Sequence, residues 1–361
     1  MNIVFASDAG YLRQLLVATC SAVRATRDDT ERLDVHVLDC GIPDGSWEIY
    51  AATVRRLADD CGANAEIMRH VVDLAPFANL DGWTNGSKAT WARLLIPKIL
   101  PNVDSCVYSD CDMLFIDSPR DMLKTLRQSP DALIAGHLDL RSSRSQASEW
   151  CRRNGLSGDE KNYVCCGLLA MNLKAFREEG LVAKCLDFAT RHPGVRYPDQ
   201  TTLNQVCLGR TATLSDGWGL FPQECHIFDG RIKSIHFAGG YPWRTRCESP
   251  NVVLGLRQSG EECALWRDFE TRILNLPPSA SVQPSLKLRL IERTAAICAR
   301  TASLLGIRIG HGSFQDALAA FGHHTSALAR ARQELFGDSS SSADLSIRTR
   351  WASVAARKPA R

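Results

Sequence analysis

CVYSDCDMLFI, residues 106–116, is the most informative segment of the sequence. Two apolar runs flank two carboxylates, Asp110 and Asp112, that are one residue apart. Side chains two positions apart on an extended backbone point to the same side, so these carboxylates are expected to lie close together. Two like charges at short distance must be offset by a metal ion, a proton or solvent. A hard divalent cation such as Mg²⁺ or Mn²⁺ prefers oxygen ligands and is the natural partner; the alternative is a strand end whose acids face water.

Short apolar strands alternate with helical segments along the chain. The predicted strands are Ile3–Ala6, Leu33–Leu38, Ala65–Arg69, Cys106–Ser109, Ala132–Gly136 and Val164–Met171. The predicted helices are Tyr11–Arg24, Trp47–Cys61, Lys88–Leu100, Arg120–Arg127 and Lys174–Arg191. This alternation favours an α/β fold with a mainly parallel sheet flanked by helices, in which ligands bind at the carboxyl ends of the strands. Asp8 and Asp110 fall at such ends, whereas the Ser- and Arg-rich residues 140–158 are predicted to form a mobile surface segment or lid.

Composition indicates an ordinary globular protein, with 45% apolar and 23% charged residues in a chain of 361. Fourteen cysteines are scattered through apolar segments without Cys-x-x-Cys pairs, which argues against a zinc site and for reduced, structural thiols. The N-terminal residues contain no basic segment followed by a long apolar run, so a cytoplasmic protein is expected. No nucleic-acid partner is predicted.

The predicted domain organisation follows a change in charge. Residues 1–275 are predicted to form the catalytic body, 281–336 a basic helical appendage and 337–361 a disordered tail; residues 281–361 contain 12 Lys or Arg and five Asp or Glu. A helix drawn through residues 286–305 places arginines on one face and apolar side chains on the other, except that Leu286 and Leu304 fall near the basic side. Such a helix could lie on an anionic membrane surface. The alternative is a helix packed against the catalytic body.

Six short segments between residues 1 and 250 resemble segments of a known family. They are Ile3–Asp8 with Tyr11, Lys88–Leu94, Asp110–Asp112, Tyr163–Leu173, Pro198–Asn204 and Ile235–Trp243. In this order they resemble the family 8 retaining glycosyltransferases, which share the GT-A fold, and in particular the bacterial galactosyl- and glucosyltransferases of lipopolysaccharide synthesis. The resemblance implies transfer of a hexose from UDP-galactose or UDP-glucose to a glycan or lipid-linked glycan acceptor. It also implies contact of the basic C-terminal region with the inner face of the plasma membrane.

The resemblance also implies roles for individual residues. It implies Mn²⁺ or Mg²⁺ held by Asp110, Asp112 and His236. Contacts with the UDP-sugar are implied for Ala6, Asp8, Tyr11, Arg93, Asp110, Cys111, Gly239, Gly240 and Arg244. Catalytic roles at the sugar are implied for Arg93, Asp199 and Gln200. From the residues alone, Asp8 could equally be a helix N-cap, His236 a structural histidine and the two glycines an ordinary turn.

Two positions depart from the family pattern. Cys165 stands where the family has an asparagine that could contact the donor sugar, and Tyr241 replaces a phosphate-contacting lysine. Arg244 or Lys233 could supply the missing positive charge. The Asp-x-Asp triplet also leaves open a haloacid-dehalogenase-like phosphatase, and the two departures leave open a protein that binds nucleotide sugars without catalysis.

Overall fold

A computed structural model describes residues 1–82, 87–222, 224–225, 228–238, 242–243, 261–277 and 326–337. The described residues fall into two units, one spanning Met1–Gly219 and one that begins at Leu220. A domain boundary near residue 275 stays a prediction.

The first unit is built on a seven-stranded sheet. Its strands are β1 (Asn2–Ser7), β2 (Leu33–Asp39), β3 (Ala65–Val71), β4 (Ser105–Ser109), β6 (Ile134–Leu138), β7 (Val164–Asn172) and β8 (Thr211–Thr213), with the short strand β5 (Met113–Phe115) following β4 in the chain. Their order across the sheet is β3-β2-β1-β4-β7-β6-β8. Only β7 runs antiparallel to its neighbours β4 and β6 among these strands. The mixed, mainly parallel α/β sheet predicted from the sequence is confirmed.

Helices cover the sheet, and their apolar side chains pack against it. They are α1 (Leu12–Ala25), α2 (Asp44–Cys61), α3 (Ile96–Ile99), α4 (Met122–Gln128), α5 (Arg141–Arg153), α6 (Leu173–Glu178), α7 (Leu181–Arg191) and α8 (Pro198–Val206). Parallel strands buried on both faces need almost continuous apolar sequence. Strand β2 shows this, since six of its seven residues are buried. Because these strands run in the same direction, their carboxyl ends meet at one edge of the sheet.

Two predicted helices are interrupted where the backbone requires it. The segment predicted as one helix over Lys88–Leu100 begins with a 3₁₀ helix, Ala89–Leu95, and continues as α3. Pro97 has no N–H to offer the carbonyl four residues earlier, and the Ile96 N–H bonds Arg93 O instead. The segment predicted over Lys174–Arg191 divides at Gly180, whose φ of 63° ends α6 before α7 begins.

Residues 140–158, predicted to form a mobile surface segment or lid, were not expected to be helical, and their mobility stays a prediction. Most of that stretch is helix α5. Its buried side is narrow, formed by the small residues Ala147, Ser148 and Cys151, and the rest of its surface is polar. A helix held by so few apolar atoms has the composition of a loop, which explains the error.

The second unit contains strand β9 (Ser234–His236), helix α9 (Glu261–Asp268) with a π-helical turn after it, and helix α10 (Ser326–Phe336). Helix α10 is anchored by charge. Arg332 Nη1 lies 2.6 Å from Asp268 Oδ2, and the Arg272 guanidinium lies 4.8 Å from the centre of the Phe336 ring. The predicted amphipathic helix over Leu286–Leu305 lies outside the described residues.

The described cysteines carry free thiols. There are twelve of them, and ten are buried. In the described ranges no helix combines the length and the apolar character that crossing a bilayer requires.

A pair of histidines links the first three strands inside the sheet. His36 Nδ1 lies 3.0 Å from His70 Nε2, and His36 Nε2 lies 2.9 Å from Asn2 Oδ1. Burial, and then the neighbouring His70, lower the pKa of His36 from 6.5 to about 4. The folded state therefore keeps this ring neutral at pH values where the unfolded chain takes up a proton.

We expect the free energy of unfolding to fall as the pH is lowered from about 6.5 to about 4, by about 3 kcal/mol from this ring, because the unfolded chain binds the proton first. Urea unfolding between pH 7 and pH 4 measures the slope. His36→Gln should flatten it, while His192→Gln, outside the sheet, serves as the control. Equal slopes for the native protein and His36→Gln would contradict the prediction.

Candidate functional site

The centre of the candidate site is the Arg93 guanidinium, whose side chain is 3% exposed. Its Nη2 lies 3.1 Å from Asp110 Oδ1 and 3.1 Å from Asp199 Oδ2. Burial alone would lower the pKa of Arg93, but the neighbouring Tyr108, Asp199 and Asp110 together outweigh it and raise that pKa above its ordinary value. The structure thus brings together three residues that the sequence predicted separately, on three different elements.

Backbone carbonyls complete the surroundings of Arg93. Its Nε donates to Thr90 O at 3.0 Å, and its Nη1 donates to Cys166 O. A buried cation is tolerated only when its donors are matched by acceptors in this way. Arg93 is consequently fixed in position before any ligand binds.

The two carboxylates of the Asp-x-Asp triplet follow strand β4. Oxygen atoms of Asp110 and Asp112 lie within 4.8 Å of each other, and both side chains are half-buried. The backbone between them is a turn, so the predicted extended conformation is wrong although the predicted proximity is confirmed. The Asp110 N–H donates to Gly167 O at 2.7 Å, which ties this turn to strand β7.

The Gln200 side chain of helix α8 makes three hydrogen bonds. Its Oε1 accepts from the Cys166 N–H at 2.9 Å, and its Nε2 donates to Asp139 Oδ2 at 2.7 Å and to Tyr163 Oη at 3.2 Å. Beside it, Asp199 Oδ1 is buried without a hydrogen-bond partner among the described residues. The amide is held at both ends, whereas Asp199 retains an unused acceptor at the site.

Asp139 is a site residue that the sequence analysis missed. It follows strand β6, which is parallel to β4, and it therefore lies at the same edge of the sheet as Asp110. The available signal was an acidic residue directly after an apolar strand, the pattern that had singled out Asp8 and Asp110.

A bulge in strand β7 brings its backbone to the site. Gly136 of β6 pairs with Leu169, but Leu138, two residues on, pairs with Val164, five residues back. The extra residues of β7 include Cys166 and Gly167, whose carbonyls meet Arg93 and the Asp110 N–H. Bulges re-aim a strand locally, and this one turns main-chain acceptors toward the charged groups.

The turn that contains Asp8 and Tyr11, two residues predicted to contact the UDP-sugar, lies at the carboxyl end of β1. Asp8 Oδ1 accepts from the Gly10 N–H at 2.8 Å, which is the N-cap geometry of the short 3₁₀ helix Ala9–Tyr11. The Cys111 thiol donates to Ala6 O at 3.2 Å, so the middle residue of the triplet adjoins strand β1. Asp8 and Tyr11 are both half-buried, and their roles toward a nucleotide stay predictions.

Of the remaining predicted residues, His236 lies in the second unit. His236 is 3% exposed and its ring stacks on Phe221, with ring centres 5.4 Å apart. Its N–H donates to Leu220 O at 2.8 Å. Gly239, Gly240 and Arg244 lie outside the described residues.

Comparison with known proteins places most of the first unit in one family. The family model described as "Glycosyl transferase family 8" matches residues 2–247. A curated Haemophilus influenzae protein named "Putative glycosyltransferase" is 24% identical over 268 residues, which are 71% of this chain and 76% of that protein.

Solved structures agree on the fold. The galactosyltransferase LgtC, crystallised with donor and acceptor sugar analogues, is 25% identical, and the match covers 70% of this chain and 92% of that one with a TM-score of 0.59. GlyE, a glycosyltransferase of Streptococcus pneumoniae, is 19% identical over 76% of this chain and 62% of its own, with a TM-score of 0.51, and supports the fold alone.

Removing the Arg93 charge should leave two carboxylates uncompensated in the interior. We expect Arg93→Ala to lower the free energy of unfolding by about 3–5 kcal/mol. Urea denaturation at neutral pH measures the change. Arg210→Ala is the matched control, since Arg210 pairs with Glu179 at the surface, and it should cost at most about 1 kcal/mol. A similar loss for both variants would contradict the special position of Arg93.

Proposed function

The chain belongs to glycosyl transferase family 8, and from that premise we propose that it transfers a hexose from a UDP-sugar to a glycan acceptor with retention of anomeric configuration. One observation carries the proposal: the buried Arg93 joins Asp110, after strand β4, to Asp199, on helix α8. In the family pattern the segment that contains Asp110 faces the diphosphate, and the segment that contains Asp199 faces the sugar. A single fixed cation between them suits a donor that spans both.

We propose that a divalent cation, Mn²⁺ or Mg²⁺, is held by Asp110, Asp112 and His236. The fit rests on the chemistry of the donors, since two carboxylates at short range supply the hard oxygen ligands that these cations prefer. The sequence resemblance supports His236 as the third ligand. When bound, the cation would neutralise the charge that develops on the leaving diphosphate.

For the chemical step we propose a displacement on one face of the sugar. The bond from the anomeric carbon to the diphosphate oxygen breaks, and the acceptor hydroxyl forms the new bond from the same face. Its proton passes to the leaving phosphate. Gln200 is suited to support this step rather than to attack, because an amide is a poor nucleophile and both of its ends are already hydrogen-bonded.

Asp199 is suited to bind the sugar. Its Oδ2 pairs with Arg93, while the buried Oδ1 retains its acceptor capacity, and a hydroxyl of the donor hexose could satisfy it. Asp8 and Tyr11 are proposed to hold the uridine. Arg244 and Lys233 are proposed as alternative partners of the diphosphate in place of the family lysine.

Glucose and galactose are the proposed donor sugars. The likeness to a galactosyltransferase crystallised with sugar analogues supports a hexose donor and a sugar acceptor, and a lipopolysaccharide glycan is the proposed acceptor class. Family membership removes the phosphatase alternative raised by the Asp-x-Asp triplet. A protein that binds without catalysis is distinguished from the proposal by turnover.

Metal-dependent hydrolysis of UDP-glucose, UDP-galactose and UDP-N-acetylglucosamine tests the proposal. We expect Asp110→Asn and Asp112→Asn each to reduce turnover by about 100-fold or more, because charge stabilisation at the leaving group is lost. Asp104→Asn is the control at the opposite end of β4, where the side chain is 82% exposed. Full activity in excess chelator, or UDP binding without turnover of any donor, would count against the proposal.

Cys165 offers a separate test of donor recognition. Its thiol is buried in the bulge of β7, where the family pattern has an asparagine. We expect Cys165→Asn to fold normally and to lower KM for the UDP-sugar several-fold, because an amide can hydrogen-bond a sugar hydroxyl better than a thiol can. Cys165→Ser controls for polarity without the amide. An unchanged or higher KM would show that this position does not contact the donor.

A further inference from the structure

Tyr108 is a core residue that also contacts two charged groups of the candidate site. It lies on strand β4, two residues before Asp110, and is only 1% exposed. The sequence analysis assigned it no role beyond an apolar run. Its ring packs among the buried residues of the sheet, but its hydroxyl leaves that apolar environment at the edge where the carboxylates gather.

Two charged groups meet this one side chain. The Tyr108 hydroxyl donates to Asp110 Oδ1 at 2.7 Å, and the Arg93 guanidinium lies 4.3 Å from the centre of the ring. A hydrogen bond to a carboxylate and a cation over an aromatic face are both stronger inside a protein than in water. Tyr108 therefore supports the anion through its hydroxyl and the cation through its ring.

The Asp110 carboxylate is bound on one oxygen by two donors. Arg93 Nη2 reaches the same Oδ1 from 3.1 Å that the Tyr108 hydroxyl reaches from 2.7 Å. Rotation of the carboxylate would break both contacts together. The clamp thus fixes the plane of the group and with it the direction of Oδ2.

We propose that Tyr108 is a positioning residue that orients the Asp110 carboxylate for the divalent cation. The inference rests on the proposed function, since it assigns Tyr108 to the same metal site. Groups that hydrogen-bond to metal ligands fix their orientation, and their loss commonly weakens metal affinity without removing a ligand. Arg93 alone cannot do this, because it is shared with Asp199 and with Cys166 O.

Tyr108→Phe separates the two contacts, because it removes the hydroxyl and keeps the ring beneath Arg93. Mn²⁺ binding in the presence of UDP, measured by the loss of the free Mn²⁺ electron paramagnetic resonance signal, requires no turnover. We expect the Kd for Mn²⁺ to rise about tenfold. Donor hydrolysis by the variant should fall at low Mn²⁺ concentration and recover in excess Mn²⁺, a response that a general loss of stability would not give.

Tyr50→Phe is the matched control. Tyr50 is also fully buried, and its hydroxyl makes one hydrogen bond of 2.8 Å, to the neutral Thr19 hydroxyl. Both variants should fold, and only Tyr108→Phe should lose Mn²⁺ affinity. An unchanged Kd in Tyr108→Phe, or an equal rise in Tyr50→Phe, would overturn the role of Tyr108 alone. Failure of the native protein to bind Mn²⁺ with UDP would overturn the proposed metal site and this role with it.

Discussion

A single buried cation organises the candidate site. Arg93 is surrounded by protein, and its charge is stable there only because Asp110 and Asp199 face it and main-chain carbonyls accept its other protons. The dependence is mutual, since each carboxylate would be costly to bury without the guanidinium. The position of the Asp-x-Asp turn, the start of helix α8 and the bulge of β7 are therefore parts of one electrostatic arrangement.

Much of the fold could be predicted from sequence because its signals are local. Apolar strands followed by helices reveal a parallel sheet, and an acid directly after such a strand reveals its functional edge, as Asp110 does. The parts that could not be predicted depend on long-range pairing. The antiparallel direction of β7 and its bulge depend on pairing with β4 and β6, which lie far from it in the sequence. No local sequence pattern predicts either feature.

The candidate site shows the same division. Arg93, Asp110 and Asp199 were recognised through short motifs, and the structure joins them through two ion pairs. Asp139 and Tyr108 were missed for a different reason. Each looks like the end or the interior of an ordinary strand, and only the geometry shows that one binds Gln200 and the other binds Asp110. Helix α5 was missed because three small buried residues give no apolar periodicity to detect.

Strand β7 has a consequence for how such a site can diverge. The contacts it gives to Arg93 and to the Asp110 turn come from the main chain, the Cys166 and Gly167 carbonyls, and not from side chains. A carbonyl is present whatever residue bears it. Under the proposed function, substitution along the bulge, such as the cysteine at position 165, would therefore alter what the site presents to a sugar without disturbing the charges beneath it. On that proposal, main-chain atoms of β7 would hold the charged groups while its side chains select the substrate, so the substrate could change without loss of the charged framework.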